Sequence, residues 1–283
     1  MDDVKAFTLN ELQDVLYDIL KEFATFCDKN NLRYYLFGGT LLGAVRHNDF
    51  IPWDDDIDVS MPRPDYERFI ELTRISPWEH YEVRQYTQPF IKMVDNRTVM
   101  KERLMREKYN TQCVFIDIFP IDGLPESASE RQKHFRKLRR YKRCLEHSII
   151  DSRKVPDKNM IKRVYRKIAT TFFYILGHKR FRDALSRQAR RYSYDLSEYV
   201  SVGIWGWAQK DVSKKSELEN RVAIPFRDSV FWCQGDYAQS LKLKYKNYME
   251  IPPESQRPPF HGLCYWKKEI ESDDRLYRGS IRP

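Results

Sequence analysis

Hydrophobic residues recur along this chain with two periods, and the points where the period changes mark its elements. Leu12, Leu16, Ile19, Leu20, Phe23 and Cys27 return every three or four positions, the spacing of one face of a helix. Thr8 with Glu11 supplies a capping box at its start, and Lys29-Asn30-Asn31 ends it. The short apolar run Tyr34-Tyr35-Leu36-Phe37 predicts a buried strand. It runs into Gly38-Gly39-Thr40 and then a short helix from Leu41 to Arg46. Asp56-Ile57-Asp58-Val59 alternates acid with hydrocarbon and predicts a strand with one acidic face. Pro62 and Pro64 close it, and Pro64 suits the first turn of a helix carrying Tyr66, Phe69, Ile70 and Leu72.

From Tyr81 to Asp122 the pattern is strand-rich. Tyr81–Arg84, Ile91–Val94, Thr98–Met100 and Val114–Ile118 are the predicted strands, with Asp95-Asn96-Arg97 as a hairpin turn and Asp122 in a turn before Gly123. Ser127 and Glu130 then suggest a second capping box, followed by a basic helix from Arg131 to Arg143. A break at Val155-Pro156-Asp157 precedes further helix to about Arg191. Beyond Val200 the pattern is irregular until a helix near Asp236–Tyr245. The predicted organisation is therefore a mixed α/β (α+β) core over residues 1–125, a basic helical segment over 126–200, and a C-terminal segment over 201–283 that returns to the site.

Composition narrows the class. With 41% hydrophobic and 32% charged residues in 283, the chain fits a globular protein with its own core. The net charge of +9 attracts anions without choosing among nucleotides, glycan phosphates and acidic lipids. No recognised nucleic-acid motif accompanies it, so no nucleic-acid partner is expected. No apolar run approaches the roughly 20 residues that cross a bilayer. Met1-Asp2-Asp3 lacks the opening of a secretory leader. The five cysteines are scattered without paired spacing, as expected of thiols in a reducing compartment. A cytoplasmic protein is expected, with peripheral contact at the inner membrane face as one use for the basic helices. The other use is a solvated surface with Phe135, Leu138, Tyr141 and Leu145 turned inward.

The candidate chemistry lies where acids crowd into this basic chain. Residues two apart on a strand point the same way, so Asp56 and Asp58 present two carboxylates to one side. At ~4 Å, two like charges repel by about 4 kcal/mol at an effective dielectric near 20. Such a pair calls for a cation, a shared proton or water, and hard oxygen ligands suit Mg2+, or Mn2+. The Gly38-Gly39-Thr40 turn lets backbone N–H groups approach a phosphate closely. A calcium loop is excluded, because Val59 stands where that loop needs glycine. Asp117, within an apolar run, is the candidate third carboxylate; a buried ion pair is the other use for such an acid. Arg46, Arg84 and Lys92 are candidate phosphate-binding cations. Trp53 and the Trp205–Trp207 pair are candidates for an aromatic wall around a quaternary ammonium group.

The same residues carry a family resemblance. Gly38-Gly39-Thr40-Leu41-Leu42-Gly43-Ala44-Val45-Arg46, followed by Phe50-Ile51-Pro52-Trp53-Asp54-Asp55-Asp56-Ile57-Asp58, resembles the hallmark of the LicD family. Phe115-Ile116-Asp117-Ile118-Phe119-Pro120 resembles its second block. Tyr245–Tyr248, Met249, Pro252-Pro253-Glu254, Arg257 and His261 resemble its third, although Lys246 stands where the family often has glycine. The resemblance implies a nucleotidyltransferase-like fold and transfer of a phospho-linked group from a CDP-activated donor such as CDP-choline. It implies a glycan or lipid-linked glycan acceptor at the cell surface, and makes ribitol-phosphate transferases of the fukutin type distant relatives. By motif, Asp56, Asp58 and Asp117 are the catalytic and metal-binding acids. Gly38, Gly39, Thr40, Arg46, Arg84, Lys92, Arg257 and His261 are the substrate-binding set.

Three other functions use some of these features. A glycosyltransferase could bind a nucleotide sugar through Asp56-x-Asp58, although the upstream glycine turn argues against it. A basic adaptor for membranes or polyanions would leave the acidic strand without a use. An ordinary nucleotidyltransferase would transfer the nucleotide itself.

Overall fold

The computed structural model describes residues 6–156, 159–257 and 262–266. Helix α1 (Leu9–Lys29) forms as its periodicity requires. Thr8 and Glu11 make the reciprocal capping box, and Leu16, Ile19, Leu20, Phe23 and Cys27 are buried. They pack on one face of a mixed sheet. That sheet runs β1 (Tyr35–Leu36), β2 (Asp58–Pro62), β5 (Thr111–Leu124), β4 (Ile91–Glu102) and β10 (Gly262–Trp266), with β3 (Tyr81–Arg84) also on β4. Only β2 and β5 run parallel; the other described pairings are antiparallel. The architecture is thus the mixed α/β one expected. Helices α2 (Gly38–His47) and α3 (Arg63–Leu72) flank β2.

Alternation along β5 divides the molecule into two cores. Ile116 and Ile118 join the cluster under α1, whereas Phe119 and Ile121 join a second cluster. That second cluster is built with Phe135, Leu138 and Leu145 of α4 (Ala128–Ile149) and Leu185 of α6 (His178–Ala189). The inward turn of the apolar face of α4 is therefore as its pattern suggests. Helix α5 (Met160–Leu176) packs on α4 from outside. Among the described residues no helix is long and apolar enough to cross a membrane.

Several elements differ from the sequence expectation, each for a local reason. Asp95-Asn96-Arg97 is no hairpin turn. It is a bulge inside one continuous β4, where the register against β5 shifts between Asp95 and Met100. The Asp95 carboxylate accepts from the Arg97 backbone and guanidinium, and Thr98 Oγ1 accepts from the Val114 N–H. Turn-like side-chain bonding is thus absorbed into the strand. Asp122 also lies on a strand, opposite Ser201 of β6 (Tyr199–Ser201), and is bound by Arg63 through two contacts of 2.7 Å. Ser127 occupies the N-cap of α4 without a side-chain cap bond; its hydroxyl meets that of Ser129 instead.

The segment after Val200 is more ordered than its sequence suggests. After β7 (Ser213–Lys214) and α7 (Lys215–Glu219), strands β8 (Val222–Phe226) and β9 (Ser229–Cys233) form a hairpin. It turns through Arg227, whose φ is 55°. Ile224, Phe226, Phe231 and Cys233 fill its buried face. Helix α8 (Tyr237–Tyr245) follows and carries Lys244, whose Nζ lies 2.5 Å from the buried Asp211.

Candidate active site

The site begins at the start of α2. Gly38 takes φ +57°, and a Cβ there would lie 2.7 Å from Asp58 Oδ2. At Gly39 a Cβ would lie 2.7 Å from Asp54 Oδ2. The glycines therefore admit two carboxylates to the helix N-terminus, where backbone donors and the helix dipole favour negative charge. Thr40 fixes the register, its Oγ1 accepting from the Asp58 N–H at 2.8 Å. Strand β2 itself starts at Asp58, so Asp56 sits in the extended chain just before the strand rather than on it.

Across the sheet, Arg84 on β3 stands opposite Lys92 on β4, Lys92 opposite Asp117 on β5, and Asp117 beside Asp58 on β2. Matched positions on neighbouring strands share a face, here the one turned away from α1. Strand spacing of about 4.8 Å puts Arg84 about 14 Å from Asp58, at the far end of this row. There it pairs with Glu82 and contacts Cys113. Lys92 is nearer the acids: its Nζ lies 2.7 Å from Asp117 Oδ1 and 3.1 Å from the centre of the Phe115 ring. The ion-pair use of Asp117 is thus realised, with Lys92 as the partner.

The carboxylates burden one another. Burial pushes the Asp58 carboxyl well above the ordinary range, and the charges of Asp56, Asp117 and Asp54 push it the same way, with Lys92 opposing them. Asp58 Oδ1 is buried and has no hydrogen-bond partner among the described residues. Beside these acids lies a cavity of about 170 Å³ lined by Asp56, Asp117, Lys92, Phe90, Phe115 and Trp205, with Lys142 of α4 and Leu185 of α6 on the helical side.

A divalent ion can be tested against this donor set. An unpartnered buried carboxylate oxygen amid like charges is a site that a hard cation relieves. No three Asp, Glu, His or Cys side chains gather about one ion position among the described residues, and one oxygen of Asp117 is committed to Lys92. The residues therefore fit an ion held by one or two carboxylates, Asp58 with Asp56, with phosphate and water completing the shell, as Mg2+ usually is.

Other expected residues are placed differently. Arg46 donates to the carbonyls of Tyr248 and Glu250, at 3.0 and 3.1 Å, and so ties the C-terminal segment to α2. Arg257 lies 4.2 Å over the Trp53 ring, beside the acidic loop. His261 lies outside the described residues. The aromatic wall is already occupied by the protein's own cations: Arg257 faces Trp53 and Lys142 faces Trp205, while Trp207 meets Tyr245 edge-on. Sequence reasoning passed over Asp54, although it belongs to the same acidic run. It also passed over Lys244, 4.4 Å above the Phe37 ring next to Gly38. Burial raises the Tyr245 phenol, and Asp58, Asp54 and Asp56 raise it further. α8 therefore returns to the acidic centre.

Paired acids thus meet a glycine-opened helix start on a mixed sheet. The family model described as LicD/FKTN/FKRP, nucleotidyltransferase domain, matches residues 31–156. Over 271 residues the chain is 30% identical to the lipopolysaccharide cholinephosphotransferase LicD of Haemophilus influenzae, across 91% of this chain and 97% of that one. It is 32% identical over 113 residues to an uncharacterized protein of Rickettsia prowazekii, covering 39% of this chain and 40% of the other. A stretch of 30 residues, 11% of this chain and 6% of the other, is 60% identical to the human ribitol 5-phosphate transferase FKRP. The chain belongs to the LicD family.

Proposed function

We propose that this protein transfers a phospho-linked group, phosphocholine or a close analogue, from a CDP-activated donor to a hydroxyl of a cell-surface glycan. The observation that carries the reading is the placement of Asp58 beside Asp117 and of Asp117 beside Lys92, next to a cavity that Asp56, Asp117 and Lys92 line. Likeness over nearly the whole chain to a cholinephosphotransferase supports the class of reaction.

In this reading Asp56 and Asp58 hold Mg2+ or Mn2+. Such an ion supplies charge neutralisation on the donor diphosphate and stabilises the departing CMP. The remaining work falls to the chain. The acceptor hydroxyl oxygen bonds to the distal phosphorus as the phosphoanhydride bond breaks, and CMP leaves with that electron pair. Asp117 takes the hydroxyl proton. Lys92, held beside it, offsets the acid's charge before transfer and faces the phosphoryl oxygens during it. Lys92 and Lys142 are set in a lining that also carries Asp55, Asp56, Glu102, Asp117 and Glu146, so an anionic donor would need the charge of a bound cation beside them. Phosphoryl transfer asks mainly for such positioning and electrostatics.

A panel of CDP-linked donors and nucleotide sugars, each with Mg2+ and a glycan acceptor, tests this by mass spectrometry. CMP release with the phospho-group found on the acceptor is expected from a CDP-linked donor. UDP or GDP release from a nucleotide sugar would favour a glycosyltransferase. Nucleotide retained on the acceptor would favour a nucleotidyltransferase.

A further inference from the structure

Helix α5 turns its apolar face outward. Ala169 and Thr170 are buried and Arg166 and Phe173 half-buried, which fixes the side that packs on α4. On the opposite side Met160, Ile161, Val164, Ile168, Phe172 and Ile175 fall within a sector of roughly 120° at 3.6 residues per turn. Each is more than half exposed, from 52% at Val164 to 79% at Ile161. A continuous apolar face of this extent marks a surface that is covered in use.

Charge indicates what covers it. From Asn159 to Arg180 the chain carries six Lys and Arg residues and no Asp or Glu. By the same helical geometry Lys162 flanks the apolar sector on one side and Arg163 and Lys167 on the other. At the C-terminal end of α5 lies a depression of about 440 Å³ lined by Lys108, Tyr109, Tyr174, His178, Lys179 and Arg180. Burial, then the charges of Arg182, Lys179 and Lys108, hold His178 below the ordinary histidine range.

We propose that α5 docks this protein on an anionic bilayer, lying in the plane of the interface. Its apolar face enters the headgroup boundary, and its basic flanks and terminal depression meet lipid phosphates. A helix of 17 residues spans about 25 Å, so it lies on the membrane and does not cross it. Contact between two copies through this face would set one basic rim against another, which an acidic lipid surface avoids. Helix α4, against which α5 packs, lends Lys142 and Glu146 to the cavity. Docking therefore holds the cavity close to the bilayer, where an acceptor glycan still attached to lipid would be found. That last consequence rests on the proposed transfer reaction; the docking does not.

Flotation of the full-length protein with phosphatidylglycerol–phosphatidylcholine vesicles, and with phosphatidylcholine vesicles alone, tests the proposal. The variant carrying Ile168→Glu and Ile175→Glu changes two exposed positions outside the cavity, and its melting curve checks that it folds. The wild type should float with the anionic vesicles and far less with neutral ones or in high salt. The variant's bound fraction should fall by about tenfold or more, with unchanged CMP release and phospho-group transfer to a soluble acceptor. Failure of the wild type to bind anionic vesicles overturns the proposal, as does binding by the variant at the wild-type level. A wild-type dimer that the variant breaks would assign the face to a second copy instead. Flotation that persists when neither protein transfers the phospho-group would defeat the transfer reading and leave the docking standing.

Discussion

Asp58→Asn is expected to cut turnover by about a thousandfold or more while raising the melting temperature of the metal-free protein. The two effects share one cause. The Asp58 carboxyl sits well above the ordinary carboxylate range because it is buried and because Asp56, Asp117 and Asp54 crowd it. An acid whose pKa is raised by folding opposes the folded state as pH climbs above its unfolded value near 3.9, and the full cost is reached above its folded pKa. The wild type without metal should thus lose stability across that window, and the asparagine variant should lose less. At neutral pH the gain is on the order of 1 kcal/mol, or about 2–4 °C. Added Mg2+ should raise the melting temperature of the wild type and leave that of the variant nearly unchanged. Calorimetry across pH, with and without Mg2+, reads all three. Near-normal turnover, or a variant that melts earlier throughout, would contradict this.

The second large effect is expected at Lys92. Lys92→Met removes the cation beside the buried Asp117 carboxylate and a charge that eases ionisation of Asp58. Breaking a buried ion pair from one side typically costs about 3–5 kcal/mol, because the remaining charge loses its compensation. Urea denaturation of Lys92→Met at neutral pH should show a loss of that size, and transfer activity should vanish. Adding Asp117→Asn should recover much of the stability and none of the activity. A loss below about 1 kcal/mol, or a double variant no more stable than the single, would show that the pair does not carry this weight.

Much of the site could be read from the sequence because local patterns determine it. The capping box at Thr8 and the periodic stripe from Leu12 to Cys27 place α1 where it is found. The acidic run, the glycine pair and the apolar setting of Asp117 bring three elements to one face. What was hidden depends on contacts between distant segments. Asp95-Asn96-Arg97 has the composition of a turn, and only the long pairing of β4 with β5 shows it to be a bulge. Pro225 disguises β8, though the Ile224–Phe226 and Phe231–Cys233 alternation around Arg227-Asp228 was a usable signal. Arg46 looks like a phosphate ligand until Tyr248 and Glu250 arrive from 200 residues away. Periodicity likewise gives α5 an apolar face but cannot say which way that face looks; the packing of Ala169 and Thr170 decides it.

The most direct test is to grow crystals with Mn2+ and CDP and collect anomalous diffraction. A manganese peak is predicted between the Asp58 and Asp56 carboxylates beside Gly38, with the CDP diphosphate completing its coordination. A peak elsewhere, or CDP bound with no metal at those acids, would contradict the account at its centre.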